Sequence, residues 1–319
     1  MHDCDKLLDA IERYIAKADN DLVDALSEEG FVEPKKTVKW SSAIEDAITE
    51  ALEAESELFI SSAEKAIDVQ EFAERIWPGV KLDDKTAEKI EEIFKEKLSD
   101  FLPDLIEPYI KRTDNELALT SVSKKTTAWV SSWSKELGSL MKLTSHTELE
   151  NILDKNLKDG NGIQDLITDI QNSGIRNERY RARSTALTES LRAHGVAQEE
   201  ALQQSPAVEE KEWIHTGSYR NSPRPNHVDM HGQIVPKNEP FVLYGRDGGV
   251  YYPQYPRDPN LPASESINCH CIHRGIVSEK VLGLPLEERQ RLQEEAIASM
   301  DDDWEKELDA LNRAKAGIE

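Results

Sequence analysis

Trp213-Ile214-His215-Thr216-Gly217, then Arg224-Pro225-Asn226-His227-Val228-Asp229-Met230-His231-Gly232-Gln233, then Ile267-Asn268-Cys269-His270-Cys271-Ile272-His273: these pieces of residues 213–277 read unlike the rest of the chain. Five of the eight histidines and two of the three cysteines fall within them. Helical periodicity stops at Pro206. Short aromatic and β-branched runs bounded by Gly, Pro, Asn and Asp replace it, which is the pattern of strands. Strands are expected at 212–216 and 241–244, with weaker candidates at 234–235 and 250–252. Gly245-Arg246-Asp247-Gly248-Gly249 is a hairpin turn between two of them. The four prolines between Tyr252 and Pro262 mark an irregular loop.

Outward from this stretch the chain reads as acidic helix. Apolar residues recur at helical spacing over about 4–28, where Gly30 and Pro34 stop the pattern, and over about 41–67, with Ser41 as N-cap and Glu45 nearby. Trp77-Pro78-Gly79 reads as a turn. Asp83 or Asp84 caps a helix through Phe101, punctuated by Pro103 and Pro108. Another covers about 115–143, where Trp129 and Trp133 share a face as core residues. Short helices follow at about 147–157 and 163–171. The Asp159-Gly160-Asn161-Gly162 link between them lacks the ligand spacing of a calcium loop and is a turn. Helices at about 177–204 and from Pro285 to about 314 complete the chain. The expected fold is mostly α with a small α+β C-terminal domain. A long helical N-terminal region precedes a loop-rich domain with a few short antiparallel strands.

Charge supports the same division. The 319 residues carry a formal charge of -23. Residues 174–280 hold 13 basic and 13 acidic side chains, whereas 1–173 hold 21 against 38 and 281–319 hold 5 against 11. Domains are therefore expected at 1–160 (acidic helical), 161–280 (the neutral block) and 281–319 (an acidic helix). An acidic surface repels nucleic acid and anionic membranes at long range. No run approaches the roughly 18 apolar residues of a membrane span. Met1-His2-Asp3-Cys4-Asp5 lacks the basic and apolar regions of a signal peptide. Three cysteines make no disulfide framework, and a reducing compartment is expected.

The chemistry-bearing residues are His227, His231, Cys269 and Cys271. Two histidines four apart share a helical face, and Cys-x-Cys in an extended chain presents both thiols to one side, which His273 then joins as an alternative ligand. Two His and two Cys would complete a closed tetrahedral zinc site stapling a domain with a small core. The same residues also fit buried thiols acting as small hydrophobes, with histidines on loop carbonyls. An enzymatic reading is a metal-dependent nuclease or hydrolase on His227, His231 and the cysteine cluster. Arg176, Arg179 and Arg183 begin the 177–204 helix and are candidate nucleic-acid contacts. They are interleaved with acidic residues, which favour ion pairing.

Taken in order, these motifs resemble the Mu-F-type phage head morphogenesis family. The resemblance rests on Arg181-Ala182-Arg183-Ser184-Thr185-Ala186-Leu187-Thr188-Glu189, the Trp213 strand, Arg224-Pro225-Asn226-His227 with His231-Gly232-Gln233, and Asn268-Cys269-His270-Cys271. Arg224, Pro225, Gly232 and Asn268 are its motif residues here. His270 departs from the family's Arg between the cysteines. The resemblance covers about 163–277. It implies a minor head protein that takes part in procapsid and head assembly and in the fate of packaged DNA, through contacts with the portal and the major capsid or scaffolding protein; the spacing of the site residues does not call for an enzyme. It would have weak contact with DNA at most and none with a membrane. The implied location is the capsid interior near the portal, and the host cytoplasm during assembly.

Overall fold

The computed structural model describes residues 18–216 and 223–315. It is mostly helical, with short antiparallel strands towards the C-terminal end. Helix α1 covers 18–28. The expected helix at 4–28 otherwise lies outside the described residues, as does Cys4. Helix α2 is Pro34–Ala63. Residues 69–83 form α3, where a π turn, Phe72–Ile76, joins Val69–Glu71 to Trp77–Asp83. Then come α4 (Thr86–Thr113), α5 (Lys124–Asp159), α6 (Ile163–Gln171) and α7 (Glu178–Gln204). Strand β1 is Val208–Ile214, α8 is Pro225–Asp229, β2 is Ile234–Pro236, β3 is Leu243–Tyr244 and β4 is Val250–Tyr251. The chain ends with α9 (Ala263–Ser266), β5 (Ile272–Val277), α10 (Glu279–Leu282) and α11 (Leu286–Lys315).

Several helix boundaries differ from expectation. Helix α2 begins at Pro34, not at Ser41. Proline suits a first helical turn, where its missing N–H has no partner to lose. Ser41 is a buried residue inside the helix rather than its cap. Trp77-Pro78-Gly79 is helical: Pro78 follows directly on the π turn Phe72–Ile76, whose wider ladder takes up a residue without an N–H. Helix α4 runs on through Pro103 and Pro108. Leu102, Leu105, Ile106, Tyr109 and Ile110 are buried around both prolines, and that packing outweighs the lost ladder bonds. Asp84, just before α4, binds its first residue, Oδ1 accepting from Thr86 N at 2.9 Å and from Thr86 Oγ1 at 2.6 Å. The helices expected at 115–143 and 147–157 are one helix, α5, which begins only at Lys124, residues 115–123 being non-helical. Ser145 and His146, at the expected break, are buried, so tertiary contacts hold that turn.

The chain divides into two compact units. One comprises Ser41–Ser99 and Trp129–Leu187. Its core joins Phe59, Ile60 and Ala63 of α2, Val69, Phe72, Trp77 and Val80 of α3, Leu149 and Leu153 of α5, and Leu166, Ile167 and Ile170 of α6. Trp133 of α5 is buried as expected, and Trp129 is partly so.

The other unit comprises the described part of Met1–Trp40, with Asp100–Ala128 and Thr188–Glu319. It holds the strands. An antiparallel sheet has the order β2-β1-β5, with Lys211 opposite Val235 and Trp213 opposite His273. β3 and β4 form the expected hairpin. Strand β5 was not anticipated; Gly275 interrupts its β-branched run. The apolar core beside the sheet is small: Trp213, Met230, Phe241, Leu243 and Leu261, with Cys269 and Cys271. Lys211 of β1 is fully buried, its Nζ held by Glu199 of α7 at 3.0 Å and Gln254 O at 2.9 Å. Helix α11 docks on the segment before α5, through ion pairs from Arg289 to Asp114 and Glu116 and a bond from Gln293 Nε2 to Ala118 O.

Candidate metal centre

Pro225 at the start of α8 sets the helix that carries His227 inward. The ring is buried, and packs at 85° to the fully buried Trp213 with centroids 6.1 Å apart. His227 Nε2 lies 2.9 Å from Oε2 of Glu265 on α9. Its Nδ1 faces both thiols, 3.5 Å from Cys269 Sγ and 3.7 Å from Cys271 Sγ. A carboxylate can only accept, so the proton belongs on Nε2 and the Nδ1 lone pair points at the sulfurs. Carboxylate–histidine–metal centres use this orientation. The three candidate ligand atoms all lie within 4.8 Å of one another.

The surrounding chain serves this geometry. Asn268 adopts φ +56, a left-handed conformation that asparagine tolerates, and turns the chain into the Cys-x-Cys segment. Arg224 Nη2 donates to Ile267 O at 2.5 Å. Asn226 Nδ2 donates to Tyr244 O at 3.0 Å and to Glu265 Oε2 at 3.2 Å. From the proline-rich loop, Arg257 enters the interior at φ +67. Its Nη1 donates to Cys269 O at 2.7 Å and to Cys271 O at 2.8 Å. Its own carbonyl accepts from Arg192 of α7. The loop is therefore a clamp on the cysteine segment.

Electrostatics favour charge at the sulfurs. The neighbouring Cys271 thiol holds Cys269 well below the ordinary thiol range; His227 and Arg257 reinforce it against burial. Cys271 is pushed the other way, up, by Cys269 and by burial. Burial pushes the Glu265 carboxyl up, but bonds from Arg246 N–H, Asn226 and His227 outweigh it and hold the group below the usual carboxylate range.

His227, Cys269 and Cys271 thus come together. His231 does not join them. Helix α8 ends at Asp229 and Gly232 turns away at φ +83, so the helical i, i+4 relation does not reach His231. The His231 ring is exposed, and its Nδ1 accepts from His215 N at 3.2 Å. In the neutral ring its proton then sits on Nε2, leaving no lone pair for a metal in this arrangement. His273 lies on β5, which begins only at Ile272, so the alternation expected from Cys269 does not extend to it. Its Nε2 is 3.2 Å from Glu199 Oε2. His270 Nδ1 lies 2.7 Å from Glu29 Oε2. Arg179 Nε lies 2.9 Å from Glu45 Oε1 and its Nη2 3.1 Å from Asp46 Oδ1, while Arg183 Nη1 lies 3.3 Å from Glu45 Oε2. These two candidate nucleic-acid contacts thus face carboxylates of α2. The side chain of Arg176 lies outside the described residues. Glu265 and Arg257 were not singled out in the sequence; neither belongs to a spacing motif, and only folding brings them to the cysteines.

Residues 147–274 match the family described as "Phage Mu protein F like protein". The chain is also 31% identical over 309 residues to a protein of Bacillus subtilis (strain 168) described as "Uncharacterized protein YqbB", covering 94% of this chain and 100% of that one. No solved structure matches it.

Proposed function

The chain belongs to the phage Mu protein F like family, a family of phage head morphogenesis, and on that premise we propose that it is a minor head protein acting by contact rather than by turnover. In this reading it joins the assembling head in the host cytoplasm. It stays in the virion at low copy, in the capsid interior near the portal, and binds the portal and the major capsid or scaffolding protein. Contacts to packaged DNA would be minor. Among the described residues no helix is long and apolar enough to cross a membrane.

The observation that carries the structural reading is the burial of the whole centre: His227, Cys269 and Cys271 are each no more than 3% exposed. A substrate would have no access to them. We assign them a structural zinc ion, with Glu265 orienting His227 from behind. Soft thiolates with one imidazole are a donor set for zinc. When bound, the ion would link α8 to the segment entering β5 and supply folding free energy directly.

One feature favours a second reading, a metal-dependent hydrolase. Three protein ligands leave a fourth position open, as catalytic zinc sites do. Metal-dependent cleavage of DNA by the purified protein, lost with His227→Ala, would establish it. The structural reading predicts that His227→Ala lowers incorporation into heads, measured as copies per head in gradient-purified particles. Normal incorporation with normal infectivity would contradict it.

A further inference from the structure

A different cluster of metal-ligating side chains lies in the unit of residues 41–99 and 129–187. Glu55 comes from α2, Asp84 from the turn between α3 and α4, and His146 from α5. Their candidate ligand atoms lie within 4.8 Å of one another, and the residues are 1%, 2% and 6% exposed. We propose that Glu55, Asp84 and His146 form a thiolate-free site for a divalent metal ion, separate from the cysteine centre.

Glu55 carries the argument. Both of its carboxylate oxygens are buried, neither makes a well-formed hydrogen bond, and burial pushes the carboxyl up from 4.5 to about 7. Native proteins rarely leave a buried carboxylate in that condition, because its desolvation is then uncompensated. The nearby Ser145 hydroxyl offsets this burial only in part, since it also faces Met141 O at 3.3 Å and accepts from Arg181 Nη2 at 2.8 Å. Asp84 is half committed. Its Oδ1 accepts from Thr86, while Oδ2 lies 2.7 Å from His146 Nε2. A cation would displace the proton shared across that contact and use both lone pairs, as metal binding to protonated ligands does. Phe59 and Trp77 set their rings against the His146 ring at 5.8 Å and 5.0 Å, which gives the cluster an apolar wall.

Two cations of the protein stand nearby. Lys142 Nζ donates to Asp84 O at 2.6 Å and is 3.8 Å from Asp84 Oδ2. Arg181 donates to Ser145 Oγ, and its charge favours the ionised Glu55 carboxylate. Lys142 keeps 21% of its side chain exposed, so it can withdraw towards water when a metal enters. It is therefore a competitor, and removing its charge should tighten binding. Two carboxylates and one imidazole suit Mn²⁺ or Zn²⁺, and Mn²⁺ discriminates against the thiolates of the cysteine centre.

The test is titration of the chelator-stripped full-length chain with Mn²⁺, free ion being read by electron paramagnetic resonance. Wild type should bind about one Mn²⁺ per chain. Glu55→Gln and His146→Gln, each checked for helical content, should bind about tenfold more weakly or worse. Lys142→Gln should bind more tightly than wild type, and Cys269→Ser should bind unchanged. Two results would overturn the proposal: no saturable Mn²⁺ binding to wild type, or equal affinity in wild type and in whichever of the first two variants folds. Because the readout is Mn²⁺ and the cysteine variant is a control, failure here leaves the zinc assignment standing.

Discussion

His194 of α7 shows how a single buried residue records its surroundings. Its Nε2 lies 2.8 Å from Thr37 Oγ1 and its Nδ1 3.0 Å from Tyr109 OH, with Phe31 edge-on at 5.0 Å. Burial, then the charges of Arg257 and Arg112, hold its pKa well below the ordinary histidine value of 6.5. The unfolded chain therefore takes up a proton before the folded one does. The stability this contributes is complete above about pH 6.5 and is lost as pH falls below it, at up to about 1.4 kcal/mol per pH unit. His194→Gln should flatten the fall in melting temperature between pH 7 and pH 5.5 relative to wild type. Parallel profiles for the two proteins would contradict this. Nothing in the sequence around Ala193-His194-Gly195 announces that environment. The residue scale is where legibility was least even: His227, Cys269 and Cys271 stood out by type and spacing, whereas Glu265 and Arg257 became visible only with the loop folded over the cysteine segment.

At the scale of elements, the periodic helices were legible and their ends were not. The helix at 163–171 was read to the residue, and the 177–204 helix within one. Misreadings fell at prolines and small polar residues, which carry local signals that packing overrides. Pro34 opens a helix, Pro78 follows a π turn, and Pro103 and Pro108 are carried through by buried neighbours on both sides. Helix packing is equally silent in sequence. At Gly138 of α5 an added Cβ would lie 2.3 Å from Ala87 O of α4, and 3.1 Å from Ala87 C. These are backbone atoms that cannot swing aside. Gly138→Ala should therefore destabilise the protein by about 1–3 kcal/mol, although alanine is the better helix former. Urea unfolding measures this, and a variant more stable than wild type would show that α4 and α5 do not approach as described.

Over the whole molecule, the neutral block of the sequence holds the strands, and acidic helices flank it. The compact units follow contacts rather than chain order. Each draws on separated stretches, Ser41–Ser99 with Trp129–Leu187 in one case. Charge along the chain cannot report such interleaving. The apolar cluster around the site is small, and two of its members are the cysteines themselves. We propose that a zinc ion on His227, Cys269 and Cys271 reinforces this cluster. The most direct measurement is zinc per chain in the purified full-length protein before and after chelation, with thermal unfolding followed in parallel and Cys269→Ser as comparison. About one tightly held zinc per chain is expected, lost with a fall in melting temperature on chelation and missing from Cys269→Ser. Protein that holds no zinc, or whose melting is unchanged by chelation and by Cys269→Ser, would contradict it.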